Sequence, residues 1–197
     1  RFTLAMILAV ILIMTAVLLS LPTMGGSGAS SDTGSGVSSD TEPDELAAAW
    51  VSFLELTDLF KGADEANFRT KFEEYALKAE LFGLNALIVQ VRPYADALYP
   101  SDVYPWSHII TGTQGKDPGY DPLKVMVEVC HQHHLEIHAW VNPYRVKGKN
   151  NLQLSADNTA LKWYNDKDSD AVLSVDGGLY LNPGNEQAKQ LVLDGIS

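Results

Sequence analysis

Polar side chains follow one face of two apolar segments in the middle of the chain. Asn85–Arg92 (NALIVQVR) and Glu136–Asn142 (EIHAWVN) contain β-branched residues and are predicted strands. Because side chains alternate between the two faces of a strand, the polar members of one face are Gln90, Arg92, His138, Trp140 and Asn142. Such groups are costly inside a sheet unless they are hydrogen-bonded or face a ligand. The pattern predicts a functional site near the ends of these strands, with a satisfied internal hydrogen-bond network as the alternative.

Histidine and cysteine side chains raise the question of a metal site. His131 and His134 share a face of a predicted helix, whereas His138 lies beyond the next turn on a strand. No carboxylate is spaced to join them, so we expect no metal and no cofactor. The single cysteine, Cys130, excludes an internal disulfide and a cysteine-based zinc site, and its position in a helical pattern predicts a small buried thiol.

The charge composition restricts the class of partner. The chain has 25 Asp and Glu residues against 14 Lys and Arg residues, which gives a net charge of −11. Binding to nucleic-acid phosphates requires clustered basic residues, and the basic residues of this chain form no run. We therefore expect no nucleic-acid partner.

The beginning of the chain differs in composition from the rest. Arg1 precedes a long apolar run, Leu4–Leu21, which predicts a signal peptide or an uncleaved membrane anchor over residues 1–21. Residues 22–45 are rich in Gly, Ser and acidic residues and are predicted to form a flexible linker. Both interpretations of the first segment place the remaining chain, residues 46–197, outside the cytoplasm. We expect an extracellular or cell-surface protein, in contact with the membrane if the segment is uncleaved.

The elements that must position the polar strand residues are predicted from residue 46 onward. A strand over Ala47–Phe53 and helices over Asp64–Phe82 and from Asp121 to about His134 complete a β-α-β-α-β order. This order is typical of a parallel sheet covered by helices. Asp121 precedes Pro122 as an N-cap residue precedes a proline in the first turn.

The last part of the chain predicts a hairpin and a helix. Residues 171–181 contain two short apolar segments around Asp176-Gly177-Gly178, which is typical of a tight hairpin turn. Residues 183–196 follow a helical pattern with Ala188, Leu191 and Val192 on one face, and Asn182 is the expected cap.

Several long strings of this chain resemble the glycosyl-hydrolase-like family 10 proteins of bacterial envelopes. They are GLNALIVQVRPYADALYPS (83–101), PWSHIITGTQGKDPGYDPL (105–123), LEIHAWVNPYRV (135–146) and GLYLNPG (178–184). The resemblance implies an α/β fold of the (β/α)8 TIM-barrel type, of which residues 46–197 would form only the N-terminal half. It also implies a glycosidase that acts on envelope polysaccharide, with peptidoglycan glycan strands as the expected substrate.

The resemblance also places functional residues. One candidate catalytic acid is Asp96, in the loop that follows the second strand. The residues expected to bind substrate are Arg92, Trp106, Gln114, Tyr120, Asp121, His138, Trp140, Asn142, Tyr144, Arg145 and Asn182. Aromatic rings with polar edges suit sugar rings, and forked arginine donors suit carboxylates.

Each of these assignments has a structural alternative. Asp96 could instead pair with Arg92 or cap a loop turn, and Asp121 could act only as a helix N-cap. Trp106 and Trp140 could be packing residues of the core. Glycoside hydrolysis generally needs two carboxylates, and this chain offers Asp96 as its best candidate.

The chain departs from the family pattern at three places. Ala47 stands where the family usually has Arg, and His133-His134 stand where it usually has Arg-Gly. Without that glycine, His134 is expected to adopt a strained left-handed turn conformation. The family's acidic motif after the fourth strand is not found, so we expect the main catalytic acids beyond Ser197 and little activity from these 197 residues alone.

Two other classes of function remain open from the sequence. The first is a non-catalytic carbohydrate-binding protein of the same fold, tethered at the cell surface. The second is a membrane-tethered structural or interaction protein, although the polar face of the two strands argues against it.

Overall fold

The computed structural model describes residues 45–149 and 152–196, so the predicted segment 1–21 and nearly all of the predicted linker 22–45 lie outside it. The strands are β1 (Ala48–Val51), β2 (Ala86–Arg92), β3 (Glu136–Val141), β4 (Arg145–Lys147), β5 (Val172–Val175) and β6 (Gly178–Leu181). The helices are α1 (Phe53–Phe60), α2 (Glu65–Leu81), α3 (His108–Thr111), α4 (Pro122–Gln132), α5 (Thr159–Asn165) and α6 (Glu186–Asp194). Within the described ranges, no helix has both the length and the apolar character that a bilayer span requires.

The first sheet is parallel, as the β-α-β-α-β order predicts. Its strand order is β1-β2-β3, with Ala48 opposite Ala86 and Ala86 opposite Glu136. One face packs against α2 and α4, where Val89, Phe72 and Met126 are fully buried. The structure thus confirms a mixed α/β fold with a helix-covered parallel sheet, while a closed eight-stranded barrel stays a prediction.

The first strand is shorter than predicted, because a helix begins where the strand was expected to continue. β1 ends at Val51, and Ser52 caps α1. The Ser52 hydroxyl accepts from the backbone N–H of Leu54, while the Glu55 carboxylate accepts from the backbone N–H of Ser52 at 2.8 Å. This reciprocal capping box starts a helix although the Ala47–Phe53 segment is apolar enough for a strand.

Helix α2 confirms most of an apolar face that the sequence predicts. Helical spacing places five residues of the segment Asp64–Phe82 on this face: Phe68, Phe72, Tyr75, Ala79 and Phe82. Phe68, Phe72 and Ala79 are buried, but Phe82, predicted to continue this face, is 82% exposed. Phe82 is the C-cap residue of α2, so it no longer follows the helical periodicity. Gly83 then adopts a left-handed conformation with φ of 73°, as a residue just after a helix often does.

A second, antiparallel sheet has the strand order β4-β6-β5 and packs with α5 and α6. The predicted hairpin is confirmed, since Asp176 and Gly177 both have positive φ between β5 and β6. Neither β4 nor α5 was predicted, because the polar stretch around them lacks a clear apolar period. The expected cap of the last helix was wrong by three residues, because Asn185 rather than Asn182 accepts from the backbone N–H of Ala188.

Candidate functional site

Two tryptophans meet on the face of the parallel sheet that α2 and α4 leave uncovered. Trp50 of β1 and Trp140 of β3 pack edge to face, with ring centroids 5.1 Å apart. Trp50 lies in register with Ile88 and His138, which places it on the same face as Trp140. Trp50 is 61% exposed, so its indole offers an accessible aromatic ring near the carboxyl ends of the strands.

Trp50 was not among the predicted site residues. The available signal was its position in the predicted first strand, where a large aromatic residue stands among alanines. Its partner strand is more than eighty residues away, so the pairing with Trp140 needed the register of the sheet.

Asn142 connects the aromatic pair to the chain after β2. Its Oδ1 accepts from Trp140 Nε1 at 3.0 Å, and its Nδ2 donates to the carbonyl of Pro93 at 3.2 Å. These bonds fix the orientation of the Trp140 ring. His138 lies on the same face and is exposed, with Nε2 3.0 Å from the Glu136 carboxylate.

An arginine and two aromatic rings form the next part of the site. The Arg145 guanidinium lies 5.4 Å from the centre of the Tyr94 ring and 6.0 Å from the centre of the Phe53 ring. The two rings pack edge to face at 5.5 Å, and the neighbouring Tyr144 is exposed. Arg145 and Tyr144 were predicted site residues, whereas Tyr94 and Phe53 were not, because an isolated aromatic residue in a loop or helix carries no positional signal.

Arg92 is placed differently from the expectation. Its side chain is buried, Nη1 donates to the carbonyl of Gly195 at 2.9 Å, and its guanidinium lies 4.5 Å over the Tyr104 ring. No hydrogen bond joins it to Asp96 among the described residues. In this structure Arg92 therefore attaches the end of α6 to the sheet instead of facing open solvent.

Asp96 is completely buried and is the centre of a polar network. Its Oδ2 accepts from Gln114 Nε2 at 3.2 Å and lies 3.1 Å from His108 Nδ1. When the Asp96 carboxylate is ionised it only accepts, and His108 Nδ1 is then the donor of this contact. Its Oδ1 has no partner among the described residues. The enclosed position means that Asp96 reaches a ligand only through another residue, so its predicted catalytic role stays a prediction.

Gln114 extends this network to the chain before α5. Its Oε1 accepts from the backbone N–H of Ser155 at 3.0 Å and from Asn158 Nδ2 at 3.1 Å. Asn158 also donates to the carbonyl of Ala95 at 2.9 Å and caps α5. Gln114 was predicted to bind substrate, and the structure shows it buried between these partners.

His108 is the outward end of the network and was missed by sequence reasoning. Its side chain is 18% exposed, and its ring packs against Tyr94 at 5.6 Å, next to Arg145. With Nδ1 bonded to Asp96, Nε2 is the nitrogen left to accept or transfer a proton. The sequence did contain a signal for this residue, because His108 lies inside PWSHIITGTQGKDPGYDPL, one of the strings that resemble the family.

Three further predicted site residues serve local structure. Asp121 caps α4 by accepting from the backbone N–H of Lys124 at 3.0 Å, the alternative stated above. Tyr120 donates to the carbonyl of Ala63 at 3.2 Å within the helix-side core, and burial raises the pKa of its hydroxyl. Asn182 fixes a turn, since its Oδ1 accepts from the backbone N–H of Gly184 at 2.9 Å. Trp106 is half-buried and pairs through its backbone with Ala97.

No group of three or more His, Cys, Asp or Glu residues within 45–149 and 152–196 is arranged to hold a metal ion. His133 instead lies 3.0 Å from the Glu80 carboxylate. Cys130 is buried as predicted, and burial raises the pKa of its thiol to about 12.

Comparison with known proteins identifies the family. The profile of the family described as Glycosyl hydrolase-like 10 matches residues 45–197. Glycosyl hydrolase YngK of Bacillus subtilis (strain 168) is 39% identical over 156 residues, which cover 77% of this chain and 30% of YngK. Glycosyl hydrolase DigH of Escherichia coli (strain K12) is 48% identical over 64 residues, which cover 32% of this chain and 15% of DigH. The chain thus spans less than a third of the length of these relatives. It belongs to the Glycosyl hydrolase-like 10 family.

Proposed function

We propose that the protein to which this chain belongs is a glycoside hydrolase that acts on bacterial cell-envelope polysaccharide, with peptidoglycan glycan strands as its substrate. The observation that carries the proposal is the exposed face near the carboxyl ends of the parallel strands. There Trp50 and Trp140 offer stacking surfaces. Tyr144 and Arg145 follow Asn142, which bonds Trp140, and they offer donors in the segment after β3. This combination suits the apolar faces and the hydroxyl edges of sugar rings. Two relatives carry the name glycosyl hydrolase, which supports the same reaction class.

In this proposal Asp96 and His108 act as one unit. The buried Asp96 carboxylate holds the proton on His108 Nδ1, which leaves Nε2 to exchange a proton with a sugar hydroxyl or with a carboxylate. Asp96 is then a positioning residue. The two carboxylates that glycoside hydrolysis requires are supplied by the acidic motif that the family resemblance implies.

The proposal also includes export of the protein. The apolar segment 1–21 directs residues 46–197 out of the cytoplasm, and the linker 22–45 separates them from the membrane if the segment is uncleaved. This location would give the domain access to cell-wall glycans.

The test uses the longest form of the protein that its gene encodes, incubated with purified, peptide-free glycan strands. We expect shorter glycans as products, and we expect Trp140→Ala to lower kcat/KM roughly tenfold, since one stacking surface is lost. The control is Tyr164→Ala, an exposed ring on α5 that lies outside the site.

The same assay separates the competing functions. Binding of glycan strands without cleavage would support the non-catalytic carbohydrate-binding protein, and the enclosed Asp96 is the observation that favours it. Absence of both binding and cleavage would overturn the proposal. A changed pH dependence of kcat in His108→Gln and Asp96→Asn, with an unchanged fold, would support the paired role of these residues.

A further inference from the structure

A second concave site lies between the long loop after β2 and helix α5. This cavity has a volume of about 310 Å³, at the lower end of the range for small-ligand sites. Its lining includes Ser101, Asp102, Trp106, Asp157, Thr159 and Lys162. Neither Trp50 nor Trp140 lines it, so it is separate from the aromatic pair on the sheet.

The cavity contains side chains that are free to bind a ligand. The carboxylate of Asp102 and the ammonium group of Lys162 are exposed, and among the described residues neither side chain has a hydrogen-bond or ion-pair partner. The indole N–H of Trp106 is likewise free within the described part of the chain. A flat indole beside a free carboxylate and a free ammonium group provides stacking together with both accepting and donating groups.

The walls of the cavity are held by the buried network described above. Three members of this network are each next in sequence to a residue of the cavity wall or to the partner of one. Gln114 precedes the lining residue Gly115, and Asn158 lies between the lining residues Asp157 and Thr159. Asp96 precedes Ala97, whose backbone pairs with Trp106. The backbone N–H of Gly115 donates to the carbonyl of Trp106 at 2.8 Å. Fixed walls reduce the entropy lost on binding, so the cavity is preorganised for a ligand.

Space near Gly115 is also limited. Its φ is 83°, and a Cβ atom built there would lie 2.9 Å from the Cβ of Ser155. Ser155 in turn hydrogen-bonds to the carboxylate of Asp157. Asp157 is therefore held in place, whereas Asp102 is the free carboxylate of the cavity.

The charge of the lining selects the class of ligand. Asp102 and Asp157 against Lys162 leave the lining with a net charge of −1, within a chain of net charge −11. Anionic ligands are repelled by this potential, whereas neutral hydroxyl groups can donate to the free carboxylate. A sugar ring also has the apolar face that stacks on an indole.

We propose that this cavity is a second saccharide site, which binds a neutral pyranose such as N-acetylglucosamine, with the ring on Trp106 and its hydroxyls on Asp102 and Lys162. The proposal rests on the proposed function, because it assigns the site to a neutral sugar of the same polysaccharide. In a glycan that alternates neutral and acidic sugars, the cavity takes the neutral ones. The cavity holds the polysaccharide in place, and no covalent bond is made or broken there.

The experiment observes each tryptophan separately in the longest form of the protein that the gene encodes. The protein is labelled with 5-fluorotryptophan, and the ¹⁹F resonances of Trp50, Trp106 and Trp140 are assigned from single Trp→Phe variants. Chitotriose, a neutral trimer of N-acetylglucosamine, is then titrated. We expect the Trp106 resonance to shift with saturation, independently of any shift at Trp50 and Trp140.

Substitutions of exposed residues provide the matched controls. Asp102→Asn is expected to weaken chitotriose binding at the Trp106 resonance roughly tenfold, because a charge-assisted hydrogen bond is lost. Asp168→Asn and Lys167→Met change exposed residues outside the cavity and are expected to leave binding unchanged. Lys162→Met should weaken binding, and a glucuronate-containing oligosaccharide of equal length should bind more weakly than chitotriose to the native protein.

The outcomes separate this proposal from the proposed function. Shifts confined to Trp50 and Trp140 would overturn the second site and leave the proposed function standing. A Trp106 shift that Asp102→Asn and Lys162→Met do not weaken would also overturn it. A Trp106 shift in a protein that does not cleave glycan strands would support the second site although the proposed hydrolase activity fails.

Discussion

The carboxylate of Asp96 is enclosed in the protein, and His108 and Gln114 both bind the same one of its two oxygens. Burial of a charge is costly unless the charge is hydrogen-bonded, so these two partners offset part of the free-energy cost of burying the Asp96 carboxylate. The second oxygen, Oδ1, has no partner within the described residues. Asp96 is thus a residue whose removal affects both the folded state and the orientation of His108.

Substitution of Asp96 by alanine should destabilise the protein. We expect Asp96→Ala to lower the free energy of unfolding by about 2–4 kcal/mol, because the donors on His108 and Gln114 lose their buried acceptor. Urea denaturation followed by circular dichroism measures the change. Asp168→Ala, on the exposed surface, should stay within about 0.5 kcal/mol of the native protein. Equal stability of the two variants would show that the network contributes nothing.

One thiol and three phenol groups, all buried or half-buried, make the stability of the protein depend on alkaline pH. Burial raises the pKa of the Cys130 thiol to about 12, and it raises the pKa of Tyr75, Tyr104 and Tyr120. Above about pH 9 the unfolded chain loses these protons while the folded protein keeps them, so the free energy of unfolding falls as pH rises. Urea midpoints measured from about pH 8 to about pH 10 test this direction. Cys130→Ala should show a shallower decline, and a midpoint that rises over this range would contradict the assignment.

At the level of the element, the turn after α4 shows a local strain that the sequence already predicts. His134 follows the C-cap residue His133 and adopts φ of 55°, a conformation that glycine adopts without penalty. The equivalent turn after α2 uses Gly83 with φ of 73°. Both turns therefore require a residue in the left-handed conformation. Glycine adopts this conformation without strain, whereas histidine adopts it at a cost in conformational energy.

Replacement of His134 by glycine should stabilise the protein. We expect His134→Gly to raise the free energy of unfolding by about 0.5–1 kcal/mol, because the left-handed strain of a residue with a Cβ atom is removed. The neighbouring His133→Gly is the control. His133 has φ of −98° and contacts Glu80, so this substitution should destabilise. Thermal unfolding of the two variants should thus shift in opposite directions, and a shift in the same direction would refute the explanation.

At the level of the whole molecule, the described chain has an apolar groove beside the first strand. The groove lies between α2 and β1, and its apolar lining includes Ala49, Tyr75, Phe82, Leu84 and Leu87. Phe82 is 82% exposed and the adjacent Leu81 is 76% exposed. Exposed apolar surface of this kind promotes binding of hydrophobic dyes and self-association.

The groove predicts how the 197-residue chain binds a hydrophobic dye. We expect Phe82→Ser to lower the fluorescence of bound anilinonaphthalene sulfonate more than Leu81→Ser does, because only Phe82 lines the groove. Both substitutions should leave the free energy of unfolding within about 0.5 kcal/mol, since both side chains are exposed. Equal dye fluorescence of the two variants would show that the groove is not the binding surface.

The sequence by itself determined the order of the three parallel strands with α2 and α4 between them, the cap of α4 at Asp121, the hairpin turn at Asp176 and the family, whereas α1 and α3 were not predicted. These features depend on periodicity, on capping residues and on short strings, all of which are local along the chain. The polar face of β2 and β3 was also predicted, because alternation within one strand decides it.

Only the tertiary structure decided which polar residues are enclosed and which are accessible. Arg92 donates to Gly195, 103 residues away, and Asp96 binds Gln114 in a distant part of the same loop. The pairing of Trp50 with Trp140 and the cavity beside Trp106 likewise join segments far apart in the chain. A residue's type and its neighbours in sequence specify what its side chain can bind. Which partner it finds depends on long-range packing, and this is why the face of the site was predictable while the positions of Arg92 and Asp96 were not.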